Sequence, residues 1–484
     1  MLDWYPLSFQ SDGTMLDSDS DQLDGPNGII QALNDPTHSP LTDLWILSYG
    51  WNTSVPGGDD FYQKWTDLLR SEIEAEKQQN RLPLEYQPLF IGIYWPSIIL
   101  ADTTSRPVVP PAPAVPHVDI AASSLAPHIL RPVLVPHIAA APMANLGTRN
   151  DFIAAFHPIF APEVQPGDAT IAQDFGAVYD FLVAHSVQKP EPAALSAFAN
   201  ILKKYQPGDP HADHPVSDSV LDVNAAAISQ GITNAFSSFS VSFPTALDGL
   251  LEFLRVFSFW TMKARAGVVG TGLGPLINKM KEANSSLRIH LVGHSFGAKL
   301  LTSAVYSMAG PAPLVDSLLL FQGAFSQFAF SRHVPGLPSA VGPYVNIIEG
   351  GLVANPVAVI YSQMDLANKN LYPLGMAPIL DPGMILFDLE NLDTYHQSSE
   401  LRGAIGANGM QGVDDIMLPV TLPWQDSDSN VASNIRCINL NRTPILAQIA
   451  ANDFVGHLIG AHSDVDEPQI FHGIVEVSRL NQNA

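Results

Sequence analysis

The chain has 484 residues, 46% of them hydrophobic and 14% charged, with a formal net charge of −24. The length exceeds one average compact core, so the composition fits an α/β domain with large insertions or a domain with a cap, and it excludes a highly charged disordered chain. The acidic balance excludes nucleic acid and anionic membrane as partners, because both require clustered Lys and Arg.

The first residues lack the basic start and apolar stretch of a secretory leader, and no apolar run is long and proline-free enough to span a bilayer. A cytoplasmic location is the expectation, unless a leader precedes this sequence. A single cysteine, Cys437, excludes an intramolecular disulfide and is expected to be a small buried hydrophobe on a strand.

Residues up to about Asp43 read as an acidic lead-in. The alternating aspartates from Asp17 to Asp24 resemble a calcium loop, but the sixth and twelfth positions hold Gln22 and Gly28 instead of Gly and Glu, so a solvated loop is expected. Asp426 and Asp428 read the same way. From Trp45 to Trp95 the pattern is strand, loop, helix, strand. The helix is expected near residues 61–77, where Trp65, Leu68, Leu69 and Ile73 share one face. Alternation of strand and helix argues for a parallel sheet.

Residues 107–142 contain nine prolines' worth of interruption, from Pro107 through Pro127 to Pro142, and are expected to form an extended linker or irregular flap. Two apolar stripes follow, one including Phe175, Tyr179 and Leu182, the other Phe198, Ile201 and Tyr205. They predict a helical insertion, either packed on the main domain or acting as a lid. His211, Asp213 and His214 lack a second cluster at metal-ligand spacing and read as a polar turn. The organisation expected is therefore residues 1–97 as the first part of the main domain, 98–245 as the insertion, and 246–484 as the second part. A helix is expected over residues 246–266.

Residues 287–300 are the most informative stretch: a short apolar strand, then Gly293-His294-Ser295-Phe296-Gly297, then a helix start. Between strand and helix such a serine sits on a very tight turn, and Cβ atoms two positions to either side would clash, which explains Gly293 and Gly297. The turn presents the Ser295 hydroxyl above the sheet and directs the Phe296 amide at whatever it attacks. The bland alternative is a glycine-rich turn with Ser295 as helix cap. His294 is expected to point away beneath this elbow, and His290 to be structural within the strand. Residues 318–321, 357–361 and 436–440 read as the later strands, with a long interval between the last two.

These segments resemble the α/β-hydrolase superfamily, in particular its bacterial and fungal serine hydrolases of the G-H-S-F-G type, esterase- and lipase-like. Residues 44–52 are similar to that family's third strand ending in its oxyanion loop, 90–97 to its next strand, 357–365 to the strand delivering an acid, and 460–464 to the loop delivering a histidine. The resemblance implies a mostly parallel central sheet with flanking helices and a large helical, proline-rich insertion. It also implies the chain order nucleophile, acid, histidine.

A serine hydroxyl needs a base in contact and a group orienting that base. Asp365 follows an apolar strand where the chain leaves the sheet; Asp393 ranks second, and Asp316 stands at the wrong sheet edge. Among later histidines, His462 has a loop-like context and is selected by the resemblance, with His457 second and His472 expected to open the last helix. The oxyanion donors expected are the Phe296 and Trp51 amides, the latter after a turn at Gly50. Members of the superfamily it resembles usually carry His-Gly at the point where this chain has Tyr49-Gly50. No metal or organic cofactor is required. The expectation is a Ser295-Asp365-His462 triad acting on a small-molecule carboxylic ester through an acyl-enzyme; the alternatives are an amide, carbamate or peptide bond as substrate, or a non-catalytic binding protein of the same fold. Oligomeric state is not legible.

Overall fold

The computed structural model describes residues 4–16, 29–30, 41–51, 53–97, 246–332, 341–355, 357–361, 367–372, 403–413, 416–418, 435–439 and 468–478, with a few isolated positions including Asp365 and His462. The proline-rich stretch, both apolar stripes of the insertion, the two aspartate runs, His211 to His214, Asp393 and His457 all lie outside the described residues, apart from single positions.

The architecture is α/β. Eight strands form one sheet: β1 (Tyr5–Ser8), β2 (Asp43–Ser48), β3 (Pro88–Tyr94), β4 (Arg288–His294), β5 (Ser317–Phe321), β6 (Val357–Tyr361), β7 (Ile416–Leu418) and β8 (Ile435–Asn439). Their order is β1-β3-β2-β4-β5-β6-β8-β7, and every pairing is parallel. The expected "mostly parallel" sheet is thus parallel at each of these pairings. A parallel sheet is covered on both faces, so its strands read as continuous apolar runs rather than alternating ones. β2, β5 and β6 are buried at every position. Cys437 lies on β8 opposite Val359, as expected of its strand.

The helices follow from the same logic. α1 (Val55–Gln78) is opened by Ser54, whose hydroxyl accepts the Gly57 amide at 3.2 Å, with Pro56 in the first turn. It buries Tyr62, Trp65, Leu69 and Ile73 along one stripe. α2 (Ala246–Ala283) precedes β4, α3 (Phe296–Ser307) follows it, α4 (Val345–Glu349) and α5 (Ile405–Asn408) are short, and α6 (Pro468–Ser478) closes the described chain. α2 packs along α3, and α6 along α1. Among the described residues no helix is long and apolar enough to cross a membrane.

Strand order places the site. The chain leaves β2 for β3 on one side, then returns through α2 to β4 on the other side of β2. Right-handed crossovers in opposite directions put α1 and α2 on opposite faces, so the chain diverges at the β2/β4 boundary. Such a switch point leaves a crevice beyond the carboxyl ends of the two strands. β2 ends just before Tyr49 and Gly50, and β4 ends just before Ser295.

The opposite end of the same strands is closed by charge. Asp43 is buried and receives the Arg288 guanidinium through two bonds of 2.8 and 2.6 Å and the His290 ring at 2.9 Å, while His290 reaches the Ser317 hydroxyl at 2.6 Å. Asp316 accepts the Ile289 amide at 2.8 Å at this same edge. His290 is therefore structural and Asp316 is remote from the carboxyl ends, as the sequence reading expects.

Candidate active site

Ser295 connects β4 to α3 with φ 57° and ψ −122°, a backbone conformation that L-residues seldom adopt. Such strain costs about 1–3 kcal/mol and persists only where the surroundings over-determine it. They do here: the Ser295 amide donates to the Phe321 carbonyl at 3.0 Å, and the Ser295 carbonyl accepts the Ala324 amide at 3.1 Å. The two flanking glycines are close approaches. A Cβ at Gly293 would lie 2.5 Å from the Gly297 carbonyl oxygen and 2.6 Å from the Ala298 backbone, and one at Gly297 would meet the Ser48 and Tyr49 carbonyls. The helix-cap alternative for Ser295 loses its basis, since its side chain makes no capping hydrogen bond.

The Ser295 hydroxyl instead meets His462. Its Oγ lies 2.9 Å from His462 Nε2, and His462 Nδ1 lies 2.8 Å from Asp365 Oδ2. A carboxylate only accepts, so Nδ1 carries the proton and Nε2 accepts from the serine. The three residues come from the ends of β4 and β6 and from a position beyond β8, and all are largely withdrawn from solvent: Ser295 is 4% exposed, Asp365 0%, and the His462 side chain 13%. The structure brings together the three residues singled out in the sequence.

The sequence reading missed Asn368. It stands in a π-helical turn, Ala367–Leu371, directly after Asp365. Its backbone amide donates to Asp365 Oδ1 at 2.9 Å, and its side-chain amide donates to Asp365 Oδ2 at 2.7 Å and to the Gln322 carbonyl at 2.7 Å. Asp365 is thus held at both oxygens while it faces His462. The signal available in the sequence was an Asn three residues after the acid, since Asx side chains favour such local turns.

The loop after β2 abuts Ser295. A Cβ at Gly50 would stand 2.6 Å from the Ser295 Cβ and 3.2 Å from its Oγ. Trp51 and Phe296, the residues expected to supply the oxyanion amides, are neighbours, with ring centroids 6.2 Å apart. Phe296 opens α3, so its amide belongs to the first turn, whose donors serve groups beyond the helix end. Tyr49 ties the end of β2 to the end of β3. Its hydroxyl donates to the Trp95 carbonyl and accepts the Trp95 amide, each at 3.1 Å, and the Trp95 indole donates to the Tyr49 carbonyl at 3.1 Å. Burial pushes the Tyr49 phenol well above its ordinary value, so it remains a neutral clamp. The Ser97 hydroxyl donates to the Thr53 carbonyl at 2.8 Å, and Thr53 Oγ1 donates to the Gly50 carbonyl at 3.2 Å. The loops after β2 and β3 are therefore tied together.

No protein-family model, curated protein or solved structure matches this chain.

Two expectations need correction. His294 does not point away beneath the elbow. Its Nε2 lies 3.0 Å from the His462 carbonyl oxygen, and the two rings are 4.7 Å apart. The strained turn at Ser295 leaves the preceding side chain on the side where His462 stands. His472 does not open the last helix; it lies in the second turn of α6 and bonds Glu72 of α1. With Glu76 these residues form the one grouping of metal-ligand proximity among those described, their donor atoms within 4.8 Å of one another. Arg81 forks onto Glu76, with Nε 2.9 Å from Oε2, and His472 bonds Glu72, so both carboxylates already have side-chain partners.

Proposed function

We propose that this chain is a serine hydrolase of the α/β-hydrolase fold, which cleaves carboxylic esters through an acyl-enzyme. The observation that carries the reading is the continuous line of contacts from Ser295 Oγ through the His462 ring to Asp365, assembled from three separate parts of the chain. Each contact lies within the range expected for a nucleophile, its base and the group orienting that base.

In this mechanism His462 Nε2 takes the hydroxyl proton as Ser295 Oγ attacks the ester carbonyl. Asp365 stabilises the imidazolium and keeps the ring in the tautomer that accepts from the serine. The tetrahedral oxyanion is met by the Phe296 and Trp51 amides. Collapse expels the alkoxide, which takes the proton from His462 and leaves as the alcohol. Water then attacks the acyl-serine ester, again giving its proton to His462, and the carboxylic acid departs as Ser295 recovers its hydrogen. Esters are preferred over amides on carbonyl reactivity, since an amide carbonyl is more strongly resonance-stabilised and nothing in this residue set is specific to an amine leaving group.

A fluorophosphonate probe and a panel of chromogenic esters test the reading. Wild-type protein should be labelled at Ser295 and should turn over at least one ester, whereas Ser295→Ala should lose labelling and turnover, the latter by about a million-fold. Retention of a tenth of the turnover in Ser295→Ala would overturn it, as would labelling at another residue.

A further inference from the structure

We infer that His294 is a positioning residue of this site, whose ring fixes the backbone of His462 against the peptide that carries the nucleophile. The inference rests on the reading of Ser295 and His462 as nucleophile and base.

The argument begins from the hydrogen bond. The His462 carbonyl oxygen can only accept, so His294 Nε2, 3.0 Å away, must carry its proton. The ring has no room to choose another role. It is 9% exposed, the Phe61 and Phe321 rings stand 6.2 and 6.0 Å from it, and burial first, then the neighbouring His462, hold its pKa well below the ordinary imidazole value. His294 is therefore a neutral donor with one fixed tautomer. Its other nitrogen faces the loop after β2, because a Cβ on Gly50 would come within 3.2 Å of Nδ1.

The position of this donor matters more than its strength. His462 arrives from 167 residues beyond Ser295 and touches it through one side-chain contact. A single contact sets a distance but not an orientation. His294 precedes Ser295 on the rigid β4-to-α3 turn, so its bond to the His462 backbone is a second attachment to the same rigid unit. Two attachments to this unit, one through the ring of His462 and one through its carbonyl, act together with the Asp365 bond to Nδ1 in setting how Nε2 faces Oγ. Sub-ångström placement of this kind governs rate, since a misplacement of about 1 Å can cost about 10²-fold.

Two substitutions in the full chain separate this role from packing. His294→Phe keeps the ring and removes the donor; His294→Gln gives up the ring and keeps an N–H at the same reach. The measurements are kcat and KM on a chromogenic ester, the urea midpoint, and solvent exchange of the His462 Nδ1 proton by NMR on histidine-labelled protein. His294→Phe should lower kcat by about 10²-fold with KM within about threefold, and should speed exchange of the His462 proton. His294→Gln should recover at least a tenth of the wild-type kcat and slow the exchange again, even if its urea midpoint is the lower of the two. An unchanged kcat in folded His294→Phe, or equal losses in the two variants, would overturn the inference. The proton-exchange arm reads the positioning without turnover: if wild-type protein neither labels nor cleaves esters, the functional reading fails, while accelerated exchange in His294→Phe alone still upholds the geometric role and unaltered exchange refutes it.

Discussion

Gly50→Ala tests how closely the loop after β2 is fitted to Ser295. The added methyl would sit 2.6 Å from the Ser295 Cβ and 3.2 Å from its Oγ. Carbon atoms rest about 3.5–4.0 Å apart, so roughly 1 Å of displacement is demanded of one side or the other. Ser295 cannot yield easily, because its amide and carbonyl are bonded to Phe321 and Ala324. The loop is restrained too, since Tyr49 is clamped by three bonds to Trp95. If the serine moves, a 1 Å misplacement lowers kcat by about 10²-fold. If the loop moves, Trp51 leaves its place beside Phe296, and on the proposed mechanism loss of one oxyanion donor costs about 10²- to 10³-fold. Either route predicts a kcat at or below about a hundredth of wild type with a modest change in KM, and overpacking of about 1–3 kcal/mol in urea unfolding. Gly351→Ala is the control. Gly351 has φ 59° with nothing within 4 Å of its Cβ position, so only the left-handed backbone cost of about 1–2 kcal/mol applies and turnover should be unchanged. Gly50→Ala protein with more than half the wild-type kcat and wild-type stability would refute the reasoning.

Asp365→Asn and His462→Ala should each reduce ester turnover by several orders of magnitude, and the double variant should be little worse than His462→Ala, because members of such a unit do not add; additive losses in a kinetic cycle would contradict a shared role. Asn368→Ala removes the donor to Asp365 Oδ2 and leaves the buried Gln322 carbonyl without that bond, so it should destabilise the protein by about 1–3 kcal/mol and lower kcat about tenfold while KM holds; urea titration and steady-state kinetics measure both. For Asp43, burial alone would raise the carboxyl pKa, but the bonds from His290 and Arg288 outweigh it and the net shift is downward. A carboxyl lowered by folding adds stability that is complete above its unfolded pKa of about 4 and is lost as the pH falls through the folded value. Wild-type urea midpoints should therefore fall below about pH 4, whereas Asp43→Ala should be weaker by about 3–5 kcal/mol at pH 7 and flatter across that acid range; parallel pH curves would exclude the contribution.

The parallel sheet was legible because burial on both faces writes itself into sequence. The segments read as strands near Trp45, Phe90, Ile289, Leu318 and Val357 all lie in the sheet, and the last of them coincides with β6 at Val357–Tyr361. Two strands were not legible. β1 has only four residues, one of them Pro6, inside an acidic segment, and β7 has only three. Runs that short carry no periodicity to detect. α1 begins at Val55, ahead of the expected start near Phe61, because Pro56, Gly57 and Gly58 look like a loop until Ser54 is recognised as their cap.

α2 shows why composition can mislead about a helix end. The expected stop is at Ala266, and the residues that follow, Gly267, Gly270, Gly272, Gly274 and Pro275, disfavour helix interiors. The helix nonetheless continues to Ala283. A Cβ at Gly270 would collide with the Leu300 carbonyl of α3, and one at Gly274 would lie 2.6 Å from the Ala304 carbonyl. These glycines let two backbones touch, and that contact compensates for their poor propensity. Propensity is a local property, whereas the reason for a small residue can lie on another helix. The same distinction separates the parts of the site. Ser295, Gly293 and Gly297 were readable because the elbow pattern is contiguous in sequence, although the atoms that exclude a Cβ at Gly297 are the distant Ser48 and Tyr49 carbonyls. His294 was misread because its direction depends on where His462, from beyond β8, is placed, and no local pattern encodes that placement. What the sequence could not reveal at this position is the very long-range bond to His462 that makes it worth mutating.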